Sequence, residues 1–248
     1  MTPAQSLIRL YARELRLPTF ANYEQLVREA TAQGWGYEDF LSQLLAREIE
    51  NRKENQRQRR VRAAGFPLQK TLDTFDFSHT PHLEEALVWE LAKGQFIADH
   101  QNLILLGNPG TGKTHLSIAL GLKACAAGYR VRFTTAAGLV NELTEAREEH
   151  RLTRLIRQLA KADLLIIDEL SYLTFSKASA ELLFQVVSER SERGSVIITT
   201  NLEFSRWTEI FGDQMLTAAL VDRLIHRSYI LNMNGQSYRL KQQREGRN

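Results

Sequence analysis

Cysteine is almost absent: Cys125 is the only one in 248 residues. A lone thiol excludes an internal disulfide framework and a cysteine-based zinc site, and it fits a reducing cytoplasm. Long apolar runs are missing too. None approaches the ~20 residues that a membrane span needs, so no membrane partner is expected. The opening MTPAQSLIRLYARELRL is charged throughout and has no apolar stretch of a secretory leader. Proline is scarce, at five residues, and so is net charge: 32 Lys and Arg stand against 29 Asp and Glu, leaving +3. Where the basic residues fall therefore matters more than their total. There is no internal repeat and no low-complexity tract. What remains is ordinary for a globular chain, with 43% hydrophobic and 25% charged residues. That supports a sizeable core, in one large domain or one domain with a small appendage.

Residues 1–62 read as helix. Leu7, Leu10, Tyr11 and Leu15 recur near helical spacing, followed by Tyr23, Leu26, Val27 and Ala30, then Phe40, Leu41, Leu44, Leu45 and Ile49. Pro18 and the Gly34-Trp35-Gly36 triplet separate three segments, expected as short helices. Residues 51–62 then carry six Arg or Lys (Arg52, Lys53, Arg57, Arg59, Arg60, Arg62) against Glu54. The next stretch, with Gly65, Pro67 and Pro81, breaks periodicity and reads as a join. Thr80 before Pro81 predicts an N-cap with proline at the first helical position. The expected division is a helical domain at 1–65, a linker at 66–82, an α/β core at 83–241 and a basic tail at 242–248. Within the core, strands are predicted at 103–106, 131–134, 164–168, 196–200 and 229–231, with helical patterns between them. That alternation specifies a five-stranded parallel sheet with helices on both faces, whose ligands sit beyond the carboxyl ends of the strands.

The first of these strands runs into Gly107-Asn108-Pro109-Gly110-Thr111-Gly112-Lys113-Thr114, followed by His115. Glycines let backbone amides close around an anion, and the helix that starts near Lys113 adds its positive dipole end. Lys113 reaches the β- and γ-phosphates of ATP, and Thr114 offers a hydroxyl to Mg²⁺. The run DLLIIDEL puts Asp168 and Glu169 at a strand end. There a carboxylate either caps a helix or faces a cation. Beside a phosphate loop, Asp168 suits Mg²⁺ held through water and Glu169 suits polarising the attacking water. The strand SVIITTN ends in Asn201, whose amide would orient that water or else form a turn. Arg223, far along the chain in LTAALVDRLIHRS, is either a surface arginine or one supplied in trans to the transition state. Phe75, Phe77 and Trp89 read as structural aromatics, and no His/Cys/Asp cluster has metal-ligand spacing.

Together, GNPGTGKTHLSIALG, DLLIIDELSYL, IITTN, LVDRLIH and GQSYRL resemble an AAA+ ATPase of the initiator and helicase-loader branch. The chain is most similar to the IstB-type transposition helper of bacterial insertion sequences, through RFTTAAGLVNEL, ELLFQVVSER and FGDQMLTAALVDRL. The helical front, with GWGYEDFL and FPLQKTLDTFDF, extends the likeness to nearly the whole chain. The resemblance implies an AAA+ P-loop core preceded by a small all-α domain. It also implies Mg²⁺-dependent ATP hydrolysis, duplex DNA and a transposase as partners, and self-association into a ring, spiral or filament. By motif, Gly107, Gly110, Gly112, Lys113 and Thr114 become Walker A, Asp168 and Glu169 Walker B, Asn201 sensor I and Arg223 the arginine finger. Arg239 is the candidate for sensor II, in a chain that ends before a full helical lid could form.

The connection 136–162 has room for two helices where one is usual. On a wheel of about 100° per residue with Arg151 at zero, Arg154 falls near 300°, Arg157 near 240° and Lys161 near 280°. Arg147 would fall near 320° if one helix continued, while Leu152, Leu155, Ile156 and Leu159 fall between about 40° and 140°. The basic face is either a solvated surface or a stripe tracking DNA phosphates. The resemblance favours the stripe, because this branch carries an extra helix here. No base-reading constellation is visible. The basic run 52–62 is a second candidate for touching DNA or a neighbouring subunit, and Lys241, Arg244 and Arg247 belong to the tail. Three other readings stand beside the DNA-remodelling one: a helicase loader acting on single-stranded DNA, a small-molecule P-loop kinase, and a binding-only switch.

Overall fold

The computed structural model describes residues 2–172 and 174–238. The chain divides into two compact units, Met1–Arg59 and Arg60–Asn248.

The first unit is helical. Helix α1 (Pro3–Glu14) opens with a capping box, in which Thr2 and Gln5 satisfy each other's amides and Pro3 fixes the first turn. Helix α2 (Glu24–Gln33) ends on Gly34 in the left-handed conformation, φ +67°. Helix α3 (Tyr37–Ala64) is 28 residues long, and the unit boundary falls inside it. The expectation of three short helices is therefore corrected at the third. Its apolar period stops at Ile49, but the Arg, Lys, Glu and Gln beyond it are good helix formers and let the helix run on. Glu48 is buried and ties the unit together. It accepts from the Thr19 amide (3.0 Å) and from Arg52 Nε (2.7 Å). Burial pulls its pKa upward, but the Arg52 and Thr19 hydrogen bonds outweigh that and hold it below its ordinary value.

In the second unit, helices α4 (Glu85–Leu91) and α5 (Gln95–Ala98) precede strand β1 (Asn102–Leu106). Helix α6 (Lys113–Ala127), β2 (Val131–Thr135), helices α7 (Ala136–Glu148) and α8 (Leu152–Leu159), and β3 (Leu164–Asp168) come next. Then come α9 (Lys177–Arg190), β4 (Ser195–Thr200), α10 (Thr208–Phe211), α11 (Gln214–Ile225) and β5 (Ser228–Asn232). The strands form one parallel sheet in the order β2-β3-β4-β1-β5.

The pleat sorts each central strand onto two cores. Leu103, Leu105, Leu164, Ile166 and Ile197 pack with α4, α5 and α6. Ile104, Leu165, Ile167, Val196 and Ile198 pack with α7, α8, α9 and α11. All ten are 2% exposed or less, and each such side chain contributes ~1.5–3 kcal/mol of burial. The stretch expected as a join also packs here: Leu72 and Phe75 are buried in the α6-side core, with Phe66 against it. The expected cap at Thr80 is not formed. The Thr80 hydroxyl is instead directed at the Phe77 carbonyl (3.3 Å), Leu83 N–H closes a turn on the Thr80 carbonyl (2.9 Å), and the helix starts later, at Glu85. Among the described residues, no helix is long and apolar enough to cross a membrane.

Candidate functional site

Three neighbouring strands, β3, β4 and β1, end side by side, and the site is built on the residues just past their carboxyl ends. After β1 the chain turns through Gly107 to Gly112. Gly110 and Gly112 take φ of +81° and +91°, which glycine adopts without strain. Gly112 carries the turn into α6 against the edge of Phe75; a Cβ there would lie 2.9 Å from the ring. Pro109, Gly110, Thr111, Gly112, Lys113, Thr114 and His115 all line one cavity of ≈ 550 Å³. Gly107 is buried behind the loop, and Asn108 is exposed on its outer side, where its amide donates to Asn234 Oδ1 (3.1 Å). Lys113 is 8% exposed, and its ammonium donates to the carbonyls of Gly107 and Asn108, 2.7 Å each.

The acidic pair divides its roles by position. Asp168, the last residue of β3, is 3% exposed and sits just behind the cavity wall. The Thr114 hydroxyl donates to its carboxylate, at 3.1 and 2.9 Å from the two oxygens. Hydroxyl and carboxylate together form a hard-oxygen pair of the kind Mg²⁺ selects. Glu169 leaves the strand with φ +59°, in the left-handed region, and lines the cavity. Asn201, directly after β4, lines the same cavity, and its backbone N–H donates to Ser171 Oγ (2.9 Å).

Other lining residues come from the segment before the core, from α6 and from the chain after β5. His115 Nε2 lies 2.8 Å from the Thr71 carbonyl, and its ring meets Phe75 edge-on at 5.3 Å. Burial holds its pKa below the ordinary 6.5, outweighing the Thr71 hydrogen bond that raises it. Phe75, His79 and Tyr238 line the cavity as well, with His79 and Tyr238 rings 5.3 Å apart and the Tyr238 amide donating to the Gly110 carbonyl (3.0 Å). Reading the sequence did not single out Thr199, His79 or Tyr238. The only signal was the TTN and GQSY contexts of Thr199 and Tyr238, because their neighbours are fixed by strand order and by the chain's return after β5.

The remaining expected residues lie elsewhere. Arg223 is exposed near the end of α11 and is not among the cavity's lining residues. Its guanidinium stands 4.7 Å over the Phe184 ring. The connection 136–162 does hold two helices, but they do not form one continuous rod: His150 takes φ +57° between them, and Arg151 is the residue before α8. Arg147 therefore belongs to α7, off the α8 wheel, and Lys161 lies in the turn beyond α8. Leu155, Ile156 and Leu159 are buried, while Arg154, Arg157 and Lys161 are exposed and line a shallow hollow with His150, Thr153 and Gln158. Arg151 pairs with Glu149. In the basic run, Arg57 pairs with Glu54 (2.6 Å), holding that carboxyl down at about 2, and Arg60 Nε donates to the Cys125 carbonyl (2.8 Å). Arg239, Lys241, Arg244 and Arg247 lie outside the described residues.

A parallel sheet ordered β2-β3-β4-β1-β5, with a phosphate loop after β1, an acidic pair after β3 and an amide after β4, defines an AAA+ P-loop nucleotide-binding core. Solved structures agree on the fold. The DnaC helicase loader superposes with a TM-score of 0.52 at 20% identity, over 59% of this chain and 86% of that one. AMPPCP-bound DnaA from Aquifex aeolicus gives 0.59 at 18% identity, over 73% and 55%.

Within that class the chain belongs to the family described as IstB-like ATP binding protein, whose profile matches residues 11–246. A Geobacillus stearothermophilus protein named as an ATP-binding protein of insertion sequence IS5376 is 40% identical over 238 residues, covering 96% of this chain and 95% of the relative. A Pseudomonas aeruginosa counterpart of insertion sequence IS21 is 42% identical over 222 residues, covering 90% and 84%.

Proposed function

We propose that this ATP-binding protein is a Mg²⁺-dependent ATPase of the bacterial cytoplasm that assembles on duplex DNA and helps a transposase engage its target during insertion-sequence transposition. One observation carries the reading. Lys113, Thr114, Glu169 and Asn201 converge on a single cavity, while Arg223 is exposed on a different element of the same chain. A hydrolytic site complete but for its arginine suits completion by a neighbouring copy.

In this reading the loop amides and the α6 N-terminus bind the phosphates, and Lys113 exchanges its carbonyl partners for the β- and γ-phosphate oxygens. The base packs on the apolar lining residues Pro67, Leu68 and Phe75. Thr114 and Asp168 are the residues that would hold Mg²⁺. When bound, the ion supplies charge neutralisation between phosphate oxygens. Glu169 takes a proton from the attacking water, and the Asn201 amide orients that water. Arg154, Arg157 and Lys161 contact DNA phosphates without reading bases, with Arg147 and Arg151 at the margin of that surface.

The test is Arg223→Ala. Nucleotide affinity should stay within about twofold while DNA-stimulated phosphate release falls by about 10³-fold or more. Unchanged turnover would remove Arg223 from the mechanism. Comparing duplex with single-stranded DNA in ATP separates the transposition reading from the helicase-loader reading: strong single-strand preference with no stable duplex complex favours the loader. Phosphate release without an added acceptor excludes a small-molecule kinase. DNA capture with no hydrolysis under any condition leaves a binding switch.

A further inference from the structure

We infer that Thr199 is a positioning residue that sets the catalytic glutamate. The inference deepens the ATPase reading above and rests on it. Thr199 is 1% exposed and directly follows Ile198, which with Ile167 forms the last pair of the β3–β4 ladder. A hydroxyl has one proton to donate and lone pairs to accept with, and here both capacities are used on adjacent residues. Thr199 Oγ1 donates to Asp168 Oδ1 at 2.5 Å and accepts the Glu169 backbone N–H at 2.8 Å.

The second of these bonds falls where the backbone is strained. Glu169 holds φ +59°, a conformation that costs a non-glycine residue ~1–2 kcal/mol. Its N–H is taken by the Thr199 side chain. Without that acceptor the amide of a half-buried turn loses its partner, and the turn loses the contact that holds it left-handed. The first bond fixes the other half of the pair. Asp168 already accepts from Thr114, the second residue of α6 and part of the cavity lining. The Thr199 hydroxyl therefore locks the relative placement of Asp168 and Glu169 from the neighbouring strand, two residues before Asn201.

The adjacent threonine does different work. The Thr200 hydroxyl is directed at the Leu202 carbonyl (3.2 Å) and accepts the Leu202 N–H (3.1 Å), closing the turn after β4. The hydroxyl at 199, and not hydroxyls in general on this strand, couples β4 to the acidic pair. A movement at the end of β4 would thus reach the Glu169 amide itself through the Thr199 hydroxyl, beside the bond from the Asn201 backbone N–H to Ser171 Oγ two residues further on.

The experiment is Thr199→Val, which keeps the shape and removes both bonds, beside Thr199→Ser, which keeps the hydroxyl. Full-length protein is assayed for phosphate release with duplex DNA and for binding of a fluorescent ATP analogue. The expected result for Val is a kcat lowered about 10- to 100-fold with nucleotide affinity within about twofold of wild type, since a displacement near 1 Å is enough for such a loss. Ser should restore at least half of the wild-type rate. Where Val does not fold, Thr199→Cys, with its weak S–H donor, takes its place with the same expectation. A Val variant that turns over like wild type, or a Ser variant as slow as Val, overturns the proposal. A crystal structure of the Val variant decides the geometry without turnover: Glu169 should leave the left-handed region, and a Glu169 unmoved in φ and carboxylate position overturns the proposal as well. Wild-type protein that binds ATP but never releases phosphate defeats the ATPase reading instead, and the crystal comparison then still judges Thr199.

Discussion

Replacing Gly107 by alanine tests the packing that holds the phosphate loop. Gly107 has no positive φ, so its need for glycine is steric. An added Cβ would lie 2.4 Å from the Met233 carbonyl carbon, 2.5 Å from its oxygen and 2.8 Å from Asn234 N. Carbon atoms rest at about 3.5–4.0 Å, so the two backbones must part by roughly 1 Å. They are pinned together on both sides. Met233 N–H donates to the Leu106 carbonyl (2.7 Å), and Asn108 N–H donates to Asn234 Oδ1 (3.1 Å). Losing those two bonds removes ~0.5–1.5 kcal/mol each, and overpacking adds ~1–3 kcal/mol.

The sum is a loss of about 2–6 kcal/mol, or a fall in Tm of roughly 4–24 °C for a chain of this size. Gly128→Ala is the control. Gly128 takes φ +106° with nothing within 4 Å of its Cβ, so it should lose only the left-handed penalty of ~1–2 kcal/mol. Differential scanning calorimetry and titration with a fluorescent ATP analogue read both variants. Gly107→Ala should show the larger drop in Tm and a nucleotide affinity reduced by about tenfold or more, because the displaced backbone is the loop's own first residue. Gly128→Ala should bind as wild type. A Gly107 variant no less stable than the Gly128 variant, with intact affinity, would refute the steric argument.

Other consequences come from single side chains. Arg190 is 2% exposed, and burial lowers its pKa to about 10, so it stays charged at neutral pH while donating to the carbonyls of Leu159 (2.7 Å), Ala162 (3.0 Å) and Ser195 (2.9 Å). Arg190→Met removes these three hydrogen bonds from the core, and urea unfolding should show a loss of about 2–5 kcal/mol. For His115 the folded pKa lies below the ordinary 6.5 because the ring is partly buried. Its neutral form therefore contributes stability present above 6.5 and lost as pH falls through the folded value; hydrogen-exchange protection at 71–75, taken relative to the intrinsic rate at each pH, should fall between pH 7 and pH 5 in wild type and change less in His115→Gln. Arg154→Ala with Arg157→Ala should weaken duplex binding and flatten the salt dependence by about two units of slope, whereas unchanged affinity would leave α8 a solvated surface.

Much of this architecture can be read from residue order because the sheet is buried on both faces. LILL, LLIID and SVIITT stand out as short apolar runs, and their observed bounds differ from the expected ones by a residue at most. The edge strands are read equally well, since Val131–Thr135 and Ser228–Asn232 also come after helical stretches at the right spacing. The phosphate loop is legible because its chemistry is local: its glycines, Lys113 and Thr114 are consecutive. Features that depend on strand neighbours distant in sequence escape. The Thr199 hydroxyl meets Asp168 across 31 positions, and Arg190 meets Leu159 across the same number. The length of α3 escapes for a different reason: past Ile49 its helical signal lies in propensity rather than in an apolar stripe. The break at His150 leaves no apolar signal either, because it falls between two helices that both pack on the same core.

The division between strand-borne and helix-borne groups has a mechanical meaning. Asp168 ends β3, and Glu169, Asn201 and Gly107 come directly after β3, β4 and β1, three adjacent strands at the centre of the sheet. Strands buried on both faces and paired on both edges cannot shift one residue without losing core contacts of ~1.5–3 kcal/mol per side chain. In the proposed mechanism the groups that meet a phosphate and a water are therefore placed on the part of the fold least able to move. Arg223 is placed on the opposite principle. Helix α11 packs Leu220 and Leu224 into the core shared with α9, whereas Arg223 itself is exposed and, among the described residues, is held by the Phe184 ring and a long contact to the Ala219 carbonyl (3.4 Å). A cation–π contact at a surface is worth ~0.5–1 kcal/mol, little enough for a stronger anionic partner to displace it. The residues of the cavity are thus held in advance, and in the mechanism proposed above the exposed Arg223 is the group that a phosphate presented by a neighbouring copy would reach.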